Sequence, residues 1–130
     1  MRLHLSRSAC FAAGLLVSAA VFASARQLAS QPAASGRVDQ ITNDQVHVWR
    51  TTVLPHQPLA LHRHDHARVI VALTDGTMNF VDQAGHIEVA EWKHGQSYYY
   101  PAMPPGTLHA DVNAGDAPLQ VIVIELEHEK

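Results

Sequence analysis

From Val38 onward no stretch of the chain sustains a helical period over three turns. Short β-branched or aromatic runs recur instead between Gly, Pro, Asn and Asp, a pattern that predicts an all-β domain. The predicted strands are Gln45 to Leu54, Leu59 to His64, Val69 to Leu73, Thr77 to Val81, His86 to Trp92, Ser97 to Tyr100, Leu108 to Val112 and Leu119 to Leu126. That number of strands suits a sandwich or barrel. Thr74-Asp75-Gly76 and Asp82-Gln83-Ala84-Gly85 are short, Gly-ended connections of the kind that join antiparallel neighbours, and Pro101 to Gly106 is a Pro-rich turn before another strand. Val121 to Ile124 is apolar on both faces, so the last strand is expected at the centre of a sheet or buried by a second subunit.

Within this pattern, Leu59 to Gly76 reads LALHRHDHARVIVALTDG, with His62, His64 and His66 at every second position before a β-branched run. Side chains two apart on a strand share a face, so His62 and His64 converge if Leu59 to His64 is extended. Neutral imidazole is the commonest protein ligand for zinc, iron, nickel and copper. A solvated, His-rich strand end is the competing reading.

The chain has 130 residues, 47% of them apolar, enough for one domain and too few for two. Arg2 and Arg7, the apolar run Ala9 to Phe22 and the small-x-small triplet Ala23-Ser24-Ala25 have the form of a secretory leader cut after Ala25. The run is shorter than the ~20 apolar residues of a spanning helix. The single cysteine, Cys10, precedes the run and so cannot carry a lipid after cleavage. Residues 26–37 (RQLASQPAASGR) read as a linker, and the domain is expected over residues 38–130. A mature chain without cysteine excludes disulfides and thiolate metal sites. Two of the nine basic residues fall in the leader, leaving seven against twelve acidic ones. That mildly acidic balance argues against nucleic acid or anionic membrane and for a small-molecule partner in the periplasm or outside the cell.

Pro104-Pro105-Gly106-Thr107-Leu108-His109-Ala110-Asp111-Val112-Asn113 supplies a further histidine on a strand after a tight turn. Together with His62-Arg63-His64 it resembles the two signature motifs of the cupin superfamily. The first of these is His-x-His followed by Glu and then Gly; the second is Gly, a spacer, then Pro-x-Gly-x-x-His-x-x-x-Asn. Gly76 matches the end of the first motif; Gly95, Pro104, Gly106, His109 and Asn113 match the second, with a spacer three residues longer than usual, or else Pro101 keeps the spacer and the turn is extended. The resemblance spans Pro55 to Leu126 and implies a jelly-roll barrel, the double-stranded β-helix, with His62, His64 and His109 pointing into its lumen. It also implies a divalent transition metal: Fe, Mn, Ni, Cu or Zn. One departure stands out. The glutamate of the first motif should fall at Arg68 or Val69, and neither is an anionic ligand.

Three readings stand open. Three neutral histidines hold the metal alone, which resembles the three-histidine iron sites of thiol dioxygenases in that superfamily; His66 or Asp65 turns inward as a fourth ligand; or the metal has been lost and the histidines line a pocket. Alternation sends Tyr98 and Tyr100 to one face and Tyr99 to the other, while Met78 and Phe80 share a face toward the lumen. Packing is the default role for these, and wall of a substrate pocket the functional one. Arg68 could bind a substrate carboxylate or simply reach solvent. His47, His56, His86, His94 and His128 have no partner at ligand spacing and are expected at the surface. No catalytic base stands out. The function expected is a metal-dependent oxygenase or isomerase acting on a small organic molecule, with a non-catalytic small-molecule or metal-binding module as the alternative. A homodimer is also expected, because Leu119, Val121 and Val123 fill one face of the last strand while Ile122, Ile124 and Leu126 need cover on the other. Either a partner or Val38 to Thr42 folded back would provide it.

Overall fold

The computed structural model describes residues 34–128, so the leader and most of the linker lie outside the described residues. Eight strands follow one another: β1 (Gly36–Thr42), β2 (Val46–Val53), β3 (Arg68–Ala72), β4 (Gly76–Asp82), β5 (Ile87–Trp92), β6 (Ser97–Tyr100), β7 (His109–Asn113) and β8 (Leu119–Leu126). They form a five-stranded sheet, β1-β2-β8-β3-β6, facing a three-stranded sheet, β5-β4-β7, and every pairing is antiparallel. No described residue is helical.

β8 is central in the larger sheet, paired along its length with β2 and over five residues with β3. Its alternation divides the chemistry. Leu119, Val121 and Val123 are buried toward the lumen, whereas Ile122, Ile124 and Leu126 are half-buried on the outer face. Register carries this across the sheet, since paired residues share a face. Val123 lies between Trp49 and Ile70, Val121 between Thr51 and Ala72, and Leu119 beside Val53. With Met78, Phe80 and Trp92 from the smaller sheet they make one core. Fully burying one such side chain stabilises the fold by roughly 1.5 to 3 kcal/mol.

Turn chemistry sets the hairpins. Between β4 and β5, Asp82 Oδ1 accepts from the Ala84 and His86 N–H groups, both at 2.8 Å, and Gly85 takes the left-handed backbone with φ 86°. Gly76 sits at φ 153°, and a Cβ there would collide with the Leu119 side chain. Asn113 is buried and structural. Its Nδ2 donates to Val53 O at 2.9 Å and Ala117 O at 2.7 Å, and its Oδ1 accepts from Gly115 N–H at 2.8 Å.

Two expectations are corrected. Leu59 to His64 is not a strand, because its only ladder contact is the isolated bridge between His62 and His109. Pro55 and Pro58 lack N–H groups, His56 adopts φ 60°, and β7 begins only at His109, which leaves the segment little to pair with. Val38 to Thr42 does not fold back over β8; it belongs to β1, which extends the sheet edge beside β2. β1 starts at Gly36, and Gly36 and Arg37 already line the interior cavity.

Candidate metal centre

Although Leu59 to His64 lacks a ladder, hydrogen bonds lay it along β7. Leu59 N–H donates to Asp111 O at 3.0 Å, and His62 and His109 exchange N–H to O bonds at 2.9 Å in both directions. His64 is held from the other side, where its carbonyl accepts from Met103 N–H at 2.9 Å. His62, His64 and His109 thus come together: each offers one ring nitrogen, and these lie within 4.8 Å of one another. Ring centroids are 5.1 Å (His62–His64), 4.7 Å (His62–His109) and 5.6 Å (His64–His109) apart.

The surroundings fix these rings. His62 Nδ1 donates to Ala60 O at 2.9 Å and His64 Nδ1 to Glu125 Oε2 at 3.2 Å, an assignment that leaves both Nε2 lone pairs free. Trp49 stacks on His64 with an interplanar angle of 1°, and Phe80 on His109 at 16°. His109 Nε2 is buried without a hydrogen-bond partner. Burial, and then the neighbouring His62, His64 and Arg68, push the His109 pKa down to about 3. Burial also lowers His64 against the pull of Glu125. Both rings are therefore neutral at physiological pH, the form in which imidazole binds metal. Three convergent imidazoles, one with an orphaned ring nitrogen, fit a divalent transition ion.

Sequence reading missed two acids. Glu125 follows Leu119, Val121 and Val123 along the lumen face of β8 and pairs in register with Arg68. Burial works to raise its pKa, but the His64 hydrogen bond and the charges of His64, His66 and Arg68 outweigh it, leaving the carboxyl below its ordinary value. Asp111 lies two residues after His109 on β7, with Oδ1 3.6 Å from His109 Nε2 and Oδ2 3.8 Å from His62 Nε2. Burial raises its pKa, opposed by His62, His64 and Arg68. Strand alternation was the available signal for both, since each continues a lumen-facing series.

His66 stands apart from the cluster, 3.7 Å from Glu127, and Asp65 turns to Arg63 at 2.6 Å. Arg68 does not reach solvent: it is 3% exposed, its Nη1 donates to Pro101 O at 3.3 Å, its guanidinium lies over Tyr100, and its Nε has no partner. Burial lowers its pKa, opposed by Asp111 and Glu125. Met78, Phe80 and Arg68 line a cavity of about 420 Å³ together with His62, His64, Asp111 and Glu125. Tyr98 and Tyr100 share a half-buried face and pack against the core without lining that cavity, and Tyr99 is exposed. The Tyr98 hydroxyl is taken up by Lys93 N–H at 2.9 Å and Gln96 Oε1 at 3.3 Å. His47 bonds to Asp39 at 3.0 Å and neighbours Glu125 and Glu127 in a second, more open group of potential ligands.

The cavity is polarised along the strands. Arg68 and Glu125 stand at one end of the β3–β8 register, and Val53 and Leu119 at the far end of β2–β8. On the opposing sheet Asp111 pairs with Phe80 and Asn113 with Met78, so charge gives way to apolar surface in the same direction.

No protein-family model matches the chain, and neither does any curated protein. Solved structures do. A cupin domain protein from Bordetella pertussis Tohama I aligns with TM-score 0.64 and 25% identity over 73% of this chain and 95% of its own. An RmlC-like cupin with a double-stranded β-helix from Methanocaldococcus jannaschii aligns with TM-score 0.55 and 14% identity, covering 75% and 86% of the two chains. KdgF from Halomonas sp. aligns with TM-score 0.51 and 13% identity over 75% and 82%. Two antiparallel sheets closed around a lumen, with these neighbours, define a double-stranded β-helix. The chain has the fold of the cupin superfamily.

Proposed function

We propose that this protein is a metal-dependent cupin acting on a small monoanionic molecule, with His62, His64 and His109 holding a divalent transition ion. The observation that carries the reading is the orphaned Nε2 of His109, buried and facing two further imidazoles at the polar end of a cavity. An ion bound there supplies Lewis acidity toward a substrate oxygen, or redox chemistry with dioxygen. The chain's own residues do the rest. Glu125 accepts the His64 Nδ1 proton and fixes the direction of that ring. Arg68 offers a desolvated guanidinium whose Nε is free for a carboxylate. Trp49, Phe80 and Met78 enclose the apolar body of the substrate and exclude water. With a dipositive ion present, Arg68, Asp111 and Glu125 leave one net positive charge at the polar end, because Arg63 and Arg37 are paired with Asp65 and Asp39, and that charge favours a monoanion. The protein is exported by its leader peptide and pairs through the outer face of the larger sheet.

The test is calorimetric titration of metal-loaded protein with small aliphatic and aromatic monocarboxylates and with their uncharged amides, followed by oxygen-uptake assays on carboxylate-bearing thiols and diols. Carboxylates should bind in preference to amides, and Arg68→Gln should abolish the preference. Equal binding of both series would sink the monoanion reading. Preferential binding with no turnover of any candidate would favour the non-catalytic module.

A further inference from the structure

The missing glutamate of the first motif leaves a question of charge that the structure answers on another strand. Asp111 shares the lumen-facing side of β7 with His109, because side chains two apart on a strand point the same way. Its two oxygens approach two different histidines, Oδ1 at 3.6 Å from His109 Nε2 and Oδ2 at 3.8 Å from His62 Nε2. Neither contact is a hydrogen bond. Both resemble the separation of two ligands on one ion, since atoms each about 2.0 to 2.1 Å from a tetrahedral metal lie roughly 3.4 Å apart.

The second observation is independent of those distances. Asp111 Oδ1 and His109 Nε2 are both buried, and among the described residues neither has a hydrogen-bond partner. Leaving one buried polar atom unpaired is costly, and here two face each other. Arg68, whose charge acts on the Asp111 carboxylate, is directed instead to Pro101 O and over Tyr100. A cation between Asp111 and His109 would satisfy both atoms at once.

We propose that Asp111 is the anionic ligand of the centre, replacing from β7 the carboxylate that the first motif lacks and completing a His62, His64, His109 and Asp111 set for a divalent transition ion. The proposal rests on the three-histidine reading, and one experiment separates the two. Cobalt(II) is titrated into wild-type protein, Asp111→Asn, Asp111→Cys and His109→Ala, following affinity and the visible and near-ultraviolet spectrum.

Wild type should bind one ion per chain. Asp111→Asn should weaken binding by more than the roughly 10- to 100-fold that loss of an outer partner produces, and should change the visible cobalt bands. Asp111→Cys should add a thiolate-to-cobalt charge-transfer band absent from wild type, a signature that requires direct ligation and is read from whatever fraction of the variant folds. Asp111→Asn with wild-type bands, at whatever affinity, together with no new band in Asp111→Cys, would overturn ligation by Asp111 while leaving the three histidines standing. Undiminished cobalt binding by His109→Ala would overturn both readings.

Discussion

His62 and His109 face each other across a two-residue antiparallel bridge, exchanging both backbone hydrogen bonds at 2.9 Å. In such a pair the side chains leave on the same side, so the main chain brings the rings to a centroid separation of 4.7 Å. The main chain itself therefore brings these two rings together. In metal-free protein the His62 and His109 amides should already be protected from hydrogen exchange, and loading should slow them only modestly. Amides that exchange freely until metal is added would show instead that the ion organises the segment.

Glu125 holds His64 by its Nδ1 at 3.2 Å and is not itself one of the three convergent imidazoles. Glu125→Gln should lower metal affinity roughly 10- to 100-fold without changing stoichiometry, as expected of an outer partner that orients a ligand. Isothermal titration with zinc or cobalt reads this directly. An unchanged affinity would mean that stacking on Trp49 alone fixes the His64 ring.

Acid should destabilise the metal-free protein through His109. Its folded pKa is lowered to about 3, chiefly by burial, against about 6.5 in an unfolded chain. Below pH 6.5 the unfolded state binds a proton that the folded state refuses, so this stability is fully present above pH 6.5 and is lost as pH falls toward 3. The slope is at most about 1.4 kcal/mol per pH unit for one proton. Denaturant unfolding in chelator across pH 4 to 7, compared with His109→Gln, should show a steeper decline for wild type; parallel curves would contradict it.

Much of the fold was legible because strand alternation and turn residues are local. Seven of the predicted strands appear with small shifts of boundary. The histidine cluster was legible for a different reason than strand phase. Leu59 to His64 is not a strand, and its rings converge through contacts with β7 and Met103 that lie some forty residues away in sequence. Glu125 and Asp111 were not found, although each continues a lumen-facing alternation, because an acid so placed becomes part of a site only through pairing with distant strands. Arg68 reads like a solvated strand start, yet its register beside Glu125 and Tyr100 turns it inward.

The outer face of the larger sheet carries an apolar row. Register aligns Ile41, Val48, Ile124, Val69 and Tyr99 across five strands, and Ile41 and Tyr99 are 51% and 64% exposed. An apolar stripe of this kind fits self-association. Ile122→Thr with Ile124→Thr should shift sedimentation at tens of micromolar from dimer toward monomer while metal stoichiometry stays unchanged. A wild-type monomer under those conditions would remove the dimer.

If His62, His64 and His109 form a centre for a transition ion, metal stoichiometry reads it out. Protein purified without a histidine tag, loaded with zinc and desalted, is analysed by elemental mass spectrometry beside His64→Ala and His109→Ala. Wild-type protein should carry close to one ion per chain and either variant almost none. Wild-type protein that leaves the column empty, or variants that retain as much metal as wild type, would contradict it.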